Sequence, residues 1–482
     1  MSTRNPGRFR DPLPGRDFAA RQRGPRAVAL DVLIAVDRDD AYANLLLPHR
    51  LRDAGLRGLD AALATELTYG TLRLGGYYDE IIRIVAGREI DQIDPVALAA
   101  LRLGAHQLLG TRVPKHAAVN ETVNAARDRG SRGVAGFINA NLRAISARTA
   151  EEWRTAVAER HERADDRLAA LTSHPAWIVR AFRDALADEG REDELEALLD
   201  ADNVSPLVHL AALPGLADRE DVLDAHPTRL VPEPASPIAM RLDGGDPQEL
   251  REVRAGTVRV QDAGSQLVAL ALSRVAPIRE GERLLDLCAG PGGKSALLAA
   301  ESLVARAHFE ANEVTPSRAK LVRDALRPIT PEGHEFEVTE FDGRTVVDSP
   351  EKFDRILVDA PCTGLGALRR RPEARWRKQA SDLANLTHLQ EELLAAALEA
   401  TAPGGLVAYV TCSPHPAETT AVVKHVLRSH DAEVLDARAI CHELAPELDL
   451  AERPLAEGTT VQLWPHRHGT DAMFLTLLRK RD

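Results

Sequence analysis

Residues 283–300, RLLDLCAGPGGKSALLAA, restrict the fold of this chain more tightly than any other stretch. Leu284, Leu285 and Leu287 make an apolar run of strand length. The loop Cys288, Ala289, Gly290, Pro291, Gly292 and Gly293 cannot extend it, and Lys294 opens an apolar helical segment. Strand, glycine turn and helix form the opening unit of an open parallel sheet. The turn then lies at the carboxyl edge of the strand, where backbone N–H groups and bare glycines admit a nucleoside cofactor. A Walker phosphate loop needs a glycine where this chain has Cys288. A dinucleotide fingerprint needs glycine offsets that Gly290, Gly292 and Gly293 do not supply. What remains is an acid closing the strand, Asp286, and a second acid, Glu313, after the apolar-leaning residues 305–311, where a ribose diol donates a hydrogen bond. This set suits S-adenosylmethionine. Taken alone, the loop is also compatible with a plain helix-capping turn.

The 482 residues have room for two to four domains, and 44% hydrophobic content supplies a core for each. No apolar run has the length of a membrane span, and the arginine-rich start lacks the apolar segment of a signal peptide. Cys288, Cys362, Cys412 and Cys441 include no CxxC pair, so neither a disulfide framework nor a metal site is expected, and a reducing cytoplasm is. The net charge of −12 argues against coating nucleic acid with the whole surface but leaves room for a local groove. Positive charge gathers in two places. Residues 1–26 hold seven arginines against Asp11 and Asp17, and residues 369–378 hold six basic side chains against Glu373.

Residues 1–25 read as a disordered basic tail, being rich in Pro, Gly and Arg. Residues 26–150 are helical throughout, with apolar positions such as Leu30, Leu33, Leu67, Leu101 and Leu108 between short Gly and Pro breaks. Residues 151–255 read as a connector and a small α+β subdomain, helical to Asp202 and then proline-punctuated short strands. Residues 256–482 form the α/β domain that contains the glycine loop.

Several motifs together carry a family resemblance. They are GTVRVQDAGSQ from Gly256, DLCAGPGGKS from Asp286, VDAPCTG from Val358, RRRPEARW from Arg369 and TCSPHPAET from Thr411. In this order they resemble the Nol1/Nop2/Sun family of RNA cytosine-C5 methyltransferases. The nearest resemblance is to its bacterial Sun/Fmu type, which modifies 16S ribosomal RNA. HAAVNETV from His116 and FINANLR from Phe137 are similar to the RNA-binding NusB domain that this type carries in front. The resemblance implies an all-α NusB-like amino-terminal domain, the small α+β connector, and a carboxyl-terminal Rossmann-like class I methyltransferase domain. It also implies S-adenosylmethionine as cofactor and small-subunit ribosomal RNA as partner, with no metal, no membrane and a monomer favoured. Transfer RNA as the substrate, or a non-catalytic RNA-binding assembly or antitermination factor on the same fold, are the alternatives.

Chemistry explains the two loop cysteines. Cytosine C5 is a poor nucleophile, so a thiolate must add to C6 before C5 can accept a methyl group, and must later be expelled. Cys362 and Cys412 each follow an apolar run and should lie at the carboxyl edges of neighbouring strands. Position does not say which attacks. The resemblance assigns attack to Cys412 and assistance in proton removal and product release to Cys362. It has Asp359 hold the amino edge of the cytosine, Lys294 reach methionine carboxylate or substrate phosphate, and Asp342 and Arg318 approach the cofactor. Asp342 is equally readable as a turn residue before Gly343. Arg369, Arg370, Arg371, Arg375 and Trp376 suit phosphate contact and base stacking. Cys441 and the side chain of Cys288 read as small buried hydrophobes.

Overall fold

The computed structural model describes residues 24–481 except 128, 130–132 and 333, so the expected basic tail lies outside the described residues as far as position 23. The chain divides into two compact units, one of residues up to 71 with 88–147, the other of residues 72–87 with 148–482.

The first unit is helical: Pro25–Arg38, Ala43–Asp53, Gly58–Arg73 as far as residue 71, Pro95–Leu109, Lys115–Arg127 and Val134–Ser146. Asp94 starts the fourth of these by accepting from the Val96 and Ala97 amides, with Pro95 at the first helical position. Gly104 sits under Leu142, where a Cβ would lie 2.5 Å from the leucine methyl. Absence of a side chain there lets two helices approach closely. Leu30, Leu67, Leu101, Ile138 and Leu142 form the buried interior.

The second unit opens with the helix Gly75–Ala86 and the helices Ala150–Ala158, Ala164–Thr172, Ala176–Ala187 and Leu195–Ala201. Next comes a small antiparallel sheet of β1 (Val208–Ala212), β2 (Leu230–Pro232), β3 (Ala239–Leu242) and β4 (Val258–Val260), ordered β2-β3-β1-β4. The α/β part follows with β5 (Arg283–Asp286), β6 (His308–Asn312), β7 (Glu337–Thr339), β8 (Phe353–Asp359), β9 (Thr401–Thr411), β10 (Ala432–Val434), a hairpin of β11 (Pro454–Leu455) and β12 (Gly458–Thr459), then β13 (Val461–Gln462) and β14 (Phe474–Lys480). The large sheet runs β10-β14-β9-β8-β5-β6-β7, with β13 beside β14. Strands β5 to β9 are mutually parallel, while β14 is antiparallel to its neighbours β9, β10 and β13.

Alternation along the strands explains the layering. Leu284, Leu357, Ala408 and Val410 pack with Leu267, Leu297 and Val322 from helices on one face, while Leu285, Ile356, Val358, Val407 and Tyr409 pack with Leu393, Leu394 and Val423 on the other. Strands buried on both faces must be apolar at successive positions, which is why these runs read as continuous in sequence. From β5 the chain builds outward through β6 and β7, then returns to the other side of β5 for β8 and β9. The crevice between the carboxyl ends of β5 and β8 is therefore the topological switch point, the usual ligand position in such sheets.

Candidate active site

The glycine loop at the end of β5 needs its glycines. Gly292 has φ +99°, and a Cβ there would stand 2.7 Å from Ala325 Cβ and 3.0 Å from Val322 Cα. Gly290 is overhung by the two residues expected near the cofactor. Its amide donates to Glu313 Oε2 at 3.1 Å, and its carbonyl accepts from Arg318 Nη2 at 2.5 Å. Glu313, buried just past the end of β6, also accepts from the Thr315 amide at 2.9 Å and lies 3.3 Å from Arg318. Asp286 is buried, with Oδ2 accepting from Ser295 Oγ at 2.7 Å and Oδ1 lacking a partner. Burial pushes its pKa up to about 7, partly offset by the Ser295 hydroxyl and raised further by Asp359. Asp342 caps the short turn Gly343–Asp348 through the Arg344 amide at 3.1 Å and pairs with the Arg344 guanidinium, so the turn role is real.

Across the switch point, β8 ends in Asp359 and the Pro361-Cys362 loop, and its neighbour β9 ends in Thr411-Cys412. The two sulfurs approach to 3.4 Å. Hydrogen bonding from Cys362 draws the Cys412 thiol down against its burial, and the same bond, burial and the Cys412 charge drive the Cys362 thiol up. Of the two thiols, Cys412 is the one whose proton is held less tightly. Lys294 Nζ donates to Asp359 Oδ2 at 2.8 Å. Burial works against the lysine's charge, but Asp359 outweighs it and holds the ammonium form above its ordinary range. Cys288 is partly buried and packs beside the apolar cluster on one sheet face, while Cys441 is fully buried with its pKa pushed up to about 12.

The basic run corrects one expectation. Arg375 is wholly buried and donates to the carbonyls of Arg73, Ser173 and Asp202 and to Asn203 Oδ1 at 2.7–3.2 Å. Arg369 is buried against Asp471 and the Gly469 carbonyl. Neither is open to a phosphate. Arg370 is partly exposed and bridges Asp471 and Asp262 at 2.7–2.8 Å. Arg371 and Trp376 face outward, Trp376 with 49% exposure. A charge run in sequence does not distinguish arginines that solvate from arginines that tie loops together.

Three anchors escaped the sequence reading. Asn312 is buried at the end of β6 and donates to the carbonyls of Leu287 and Phe341 while accepting from the Phe341 amide, tying the β5 and β7 loops together. Asp262 caps the helix Ala263–Arg274 through the Gly264 and Ser265 amides and also accepts from the Asp471 amide at 3.1 Å. Glu418, fully buried, accepts from the Thr363 amide at 2.8 Å, from the Thr363 hydroxyl and from Gln390 Nε2 at 3.1 Å. Asp262 and Glu418 lie inside the quoted motifs, which was the available signal for them; Asn312 lies in none. Among the described residues no group of three or more His, Cys, Asp or Glu side chains could hold a metal, and no helix is long and apolar enough to cross a membrane.

An open, mostly parallel sheet with a glycine loop at its switch point defines the class, a Rossmann-like domain of the kind that binds a nucleoside cofactor, preceded in sequence by a helical unit. The family model described as 16S rRNA methyltransferase RsmB/F matches residues 274–479, and the NusB family model matches residues 23–147. Rv1407 of Mycobacterium tuberculosis, named as a methyltransferase, is 49% identical over 95% of this chain and 99% of its own. The ribosomal RNA small subunit methyltransferase B of Klebsiella pneumoniae is 31% identical over 83% of this chain and 88% of its own. The crystal structure of PH0851 shares the fold, with a TM-score of 0.76 at 21% identity over 95% of this chain and 99% of that one. The chain belongs to the RsmB/F methyltransferase family.

Proposed function

We propose that this protein transfers a methyl group from S-adenosylmethionine to C5 of a cytosine in small-subunit ribosomal RNA. One observation carries the reading: two thiols 3.4 Å apart at the ends of adjacent strands, beside Asp359 and the cofactor-type glycine loop. An amine methylation needs no thiol pair, whereas addition to C6 needs a thiolate that can attack and leave. The residues present fit the cofactor. The glycine loop has no room for a side chain at Gly292, the Glu313 and Arg318 side chains overhang Gly290, Asp286 Oδ1 is a buried acceptor without a donor, and Glu313 follows the neighbouring strand where a ribose diol would bond. S-adenosylmethionine supplies an electrophilic methyl on a sulfonium. The residues assigned to hold it are the loop from Cys288 to Lys294 (Ala289, Gly290, Pro291, Gly292 and Gly293 between them), with Glu313, Arg318, Asp342 and Asp359.

In this reading the Cys412 thiolate bonds to C6, and the ring electrons displaced onto C5 take the methyl group. Transfer of the C5 proton to a water molecule then restores the double bond and expels the Cys412 thiolate, with Cys362 assisting the proton's removal as well as the release of the product. Cys362, adjacent and protonated, stabilises that sulfur as it departs. Asp359, oriented by Lys294, receives the amino edge of the flipped base. Arg371 and Trp376 offer outward charge and a stacking face for single-stranded RNA, and the helical first unit serves as an RNA-binding module. The relatives named as small-subunit methyltransferase B support ribosomal RNA over transfer RNA, and in this reading the enzyme is a cytoplasmic monomer.

Incubation with methyl-labelled S-adenosylmethionine and either small-subunit ribosomal RNA or transfer RNA, followed by digestion to nucleosides, tests this. The expected result is label in 5-methylcytidine from ribosomal RNA. Label only in transfer RNA would replace the substrate, and cofactor binding without transfer to any RNA would point to a non-catalytic factor.

A further inference from the structure

The mechanism just given leaves one buried charge unused. Glu418 follows Cys412 by six residues and is closed off from solvent. Its carboxylate is satisfied by the Thr363 amide at 2.8 Å, the Thr363 hydroxyl and Gln390 Nε2 at 3.1 Å, and its own carbonyl accepts from Tyr409 OH at 2.8 Å. Gln390 also donates to the Pro361 carbonyl at 2.8 Å, and Thr363 Oγ1 lies 3.1 Å from Ser413 Oγ. Pro361 and Thr363 flank Cys362, and Ser413 follows Cys412. One carboxylate thus fixes both neighbours of Cys362 and the loop after Cys412.

We infer that Glu418 is a positioning residue for product release, holding Cys362 where its thiol can donate to the Cys412 sulfur. The inference rests on the reading of the cysteine pair given above. A fixed negative charge beside one thiol of a touching pair disfavours the thiolate there and leaves it to the other. Glu418 faces Cys362 and is bonded by the neutral donors of Thr363 and Gln390, whereas the acids that face Cys412 are each paired with a cation, Asp359 with Lys294 and Asp471 with Arg369 and Arg370. A buried, hydrogen-bonded carboxylate against a loop amide also prevents the loop from drifting, since removing one acceptor strands a buried donor.

The test uses the full chain and two readouts. First, the alkylation rate of Cys412 by iodoacetamide, followed by mass spectrometry against pH, needs neither RNA nor cofactor. In Glu418→Gln the Cys412 profile should move up by about one pH unit, a tenfold loss of thiolate at a given pH. Cys362→Ala should move it in the same direction, and the double variant should move no further. Second, with labelled small-subunit ribosomal RNA and S-adenosylmethionine, Glu418→Gln should accumulate the covalent RNA adduct that Cys362→Ala accumulates. Thr363→Val, which removes one donor to the carboxylate at nearly constant shape, should give a smaller shift in the same direction, and it decides the matter if Glu418→Gln does not fold. An unmoved Cys412 profile in folded Glu418→Gln, or shifts that add in the double variant, would overturn the inference. Absence of adduct in Cys362→Ala itself would instead strike the reading of the cysteine pair, and the alkylation profiles would still judge Glu418.

Discussion

The buried Asp286 is the residue on which folding and cofactor binding pull in different directions. Its carboxyl is deprived of water and has one bonded oxygen, so its pKa rises to about 7. A raised acid binds its proton more tightly in the folded state than in the unfolded one, so its contribution to stability is fullest below about pH 4 and is lost as pH rises towards 7. Asp286→Asn removes that dependence. The melting temperature of Asp286→Asn relative to wild type, without cofactor, should therefore climb between pH 4.5 and 8; a constant difference would mean that the carboxylate is already solvated or paired. The opposite case is Asp262, where burial is outweighed by His209, Arg370 and Arg369, and the carboxyl lies well below its ordinary range. The placement of the residues assigned to the chemistry was readable because they sit at strand ends in short motifs: Cys362, Cys412, Asp359, Lys294 and Glu313 are all found around one switch point. Asn312, Asp262 and Glu418 were not readable. Each works by bonding backbone groups distant in sequence, and nothing local distinguishes such a side chain from a solvated one.

At the scale of elements, the glycine loop and the basic run make contrasting predictions. Gly292→Ala puts a Cβ into a left-handed conformation and against the Ala325 and Val322 backbone region, which should destabilise the protein by about 2 kcal/mol or more and weaken S-adenosylmethionine binding in calorimetry. Unchanged melting and binding would show that the loop can open without loss. In the basic run, Arg375→Ala should cost about 3 kcal/mol or more of stability, because it strands buried carbonyls, while leaving the salt dependence of RNA binding intact. Arg371→Ala should do the reverse, leaving melting unchanged and reducing the slope of log affinity against log salt by about 1. Periodicity in the sequence located strands β5, β8 and β9 because both faces of each are covered. The direction of each arginine was beyond it, since the six basic residues within 369–378 look alike until the loops they bind are in place.

For the whole molecule, the informative element is the helix Gly75–Ala86, which belongs to the second unit although the first unit flanks it in sequence on both sides. Its apolar positions Tyr78, Ile81 and Ile82 announce a helix with a buried face, but periodicity carries no information on which core covers that face. Within the second unit the Gly76 amide donates to Ser173 Oγ at 2.9 Å, Arg73 donates to the Arg369 carbonyl, and Arg375 donates to the Arg73 carbonyl. A fragment beginning at residue 148 lacks all three and should unfold several degrees below the corresponding transition of the full chain; equal melting would assign these bonds no net stability. The central claim, a cytosine methyltransferase working through a Cys412 adduct, is tested most directly on a denaturing gel. Labelled small-subunit ribosomal RNA is incubated with S-adenosylmethionine and the wild-type, Cys362→Ala or Cys412→Ala protein. The account predicts a covalent protein–RNA band that accumulates with Cys362→Ala and is absent with Cys412→Ala. A band with Cys412→Ala, or none with any form of the protein, would contradict it.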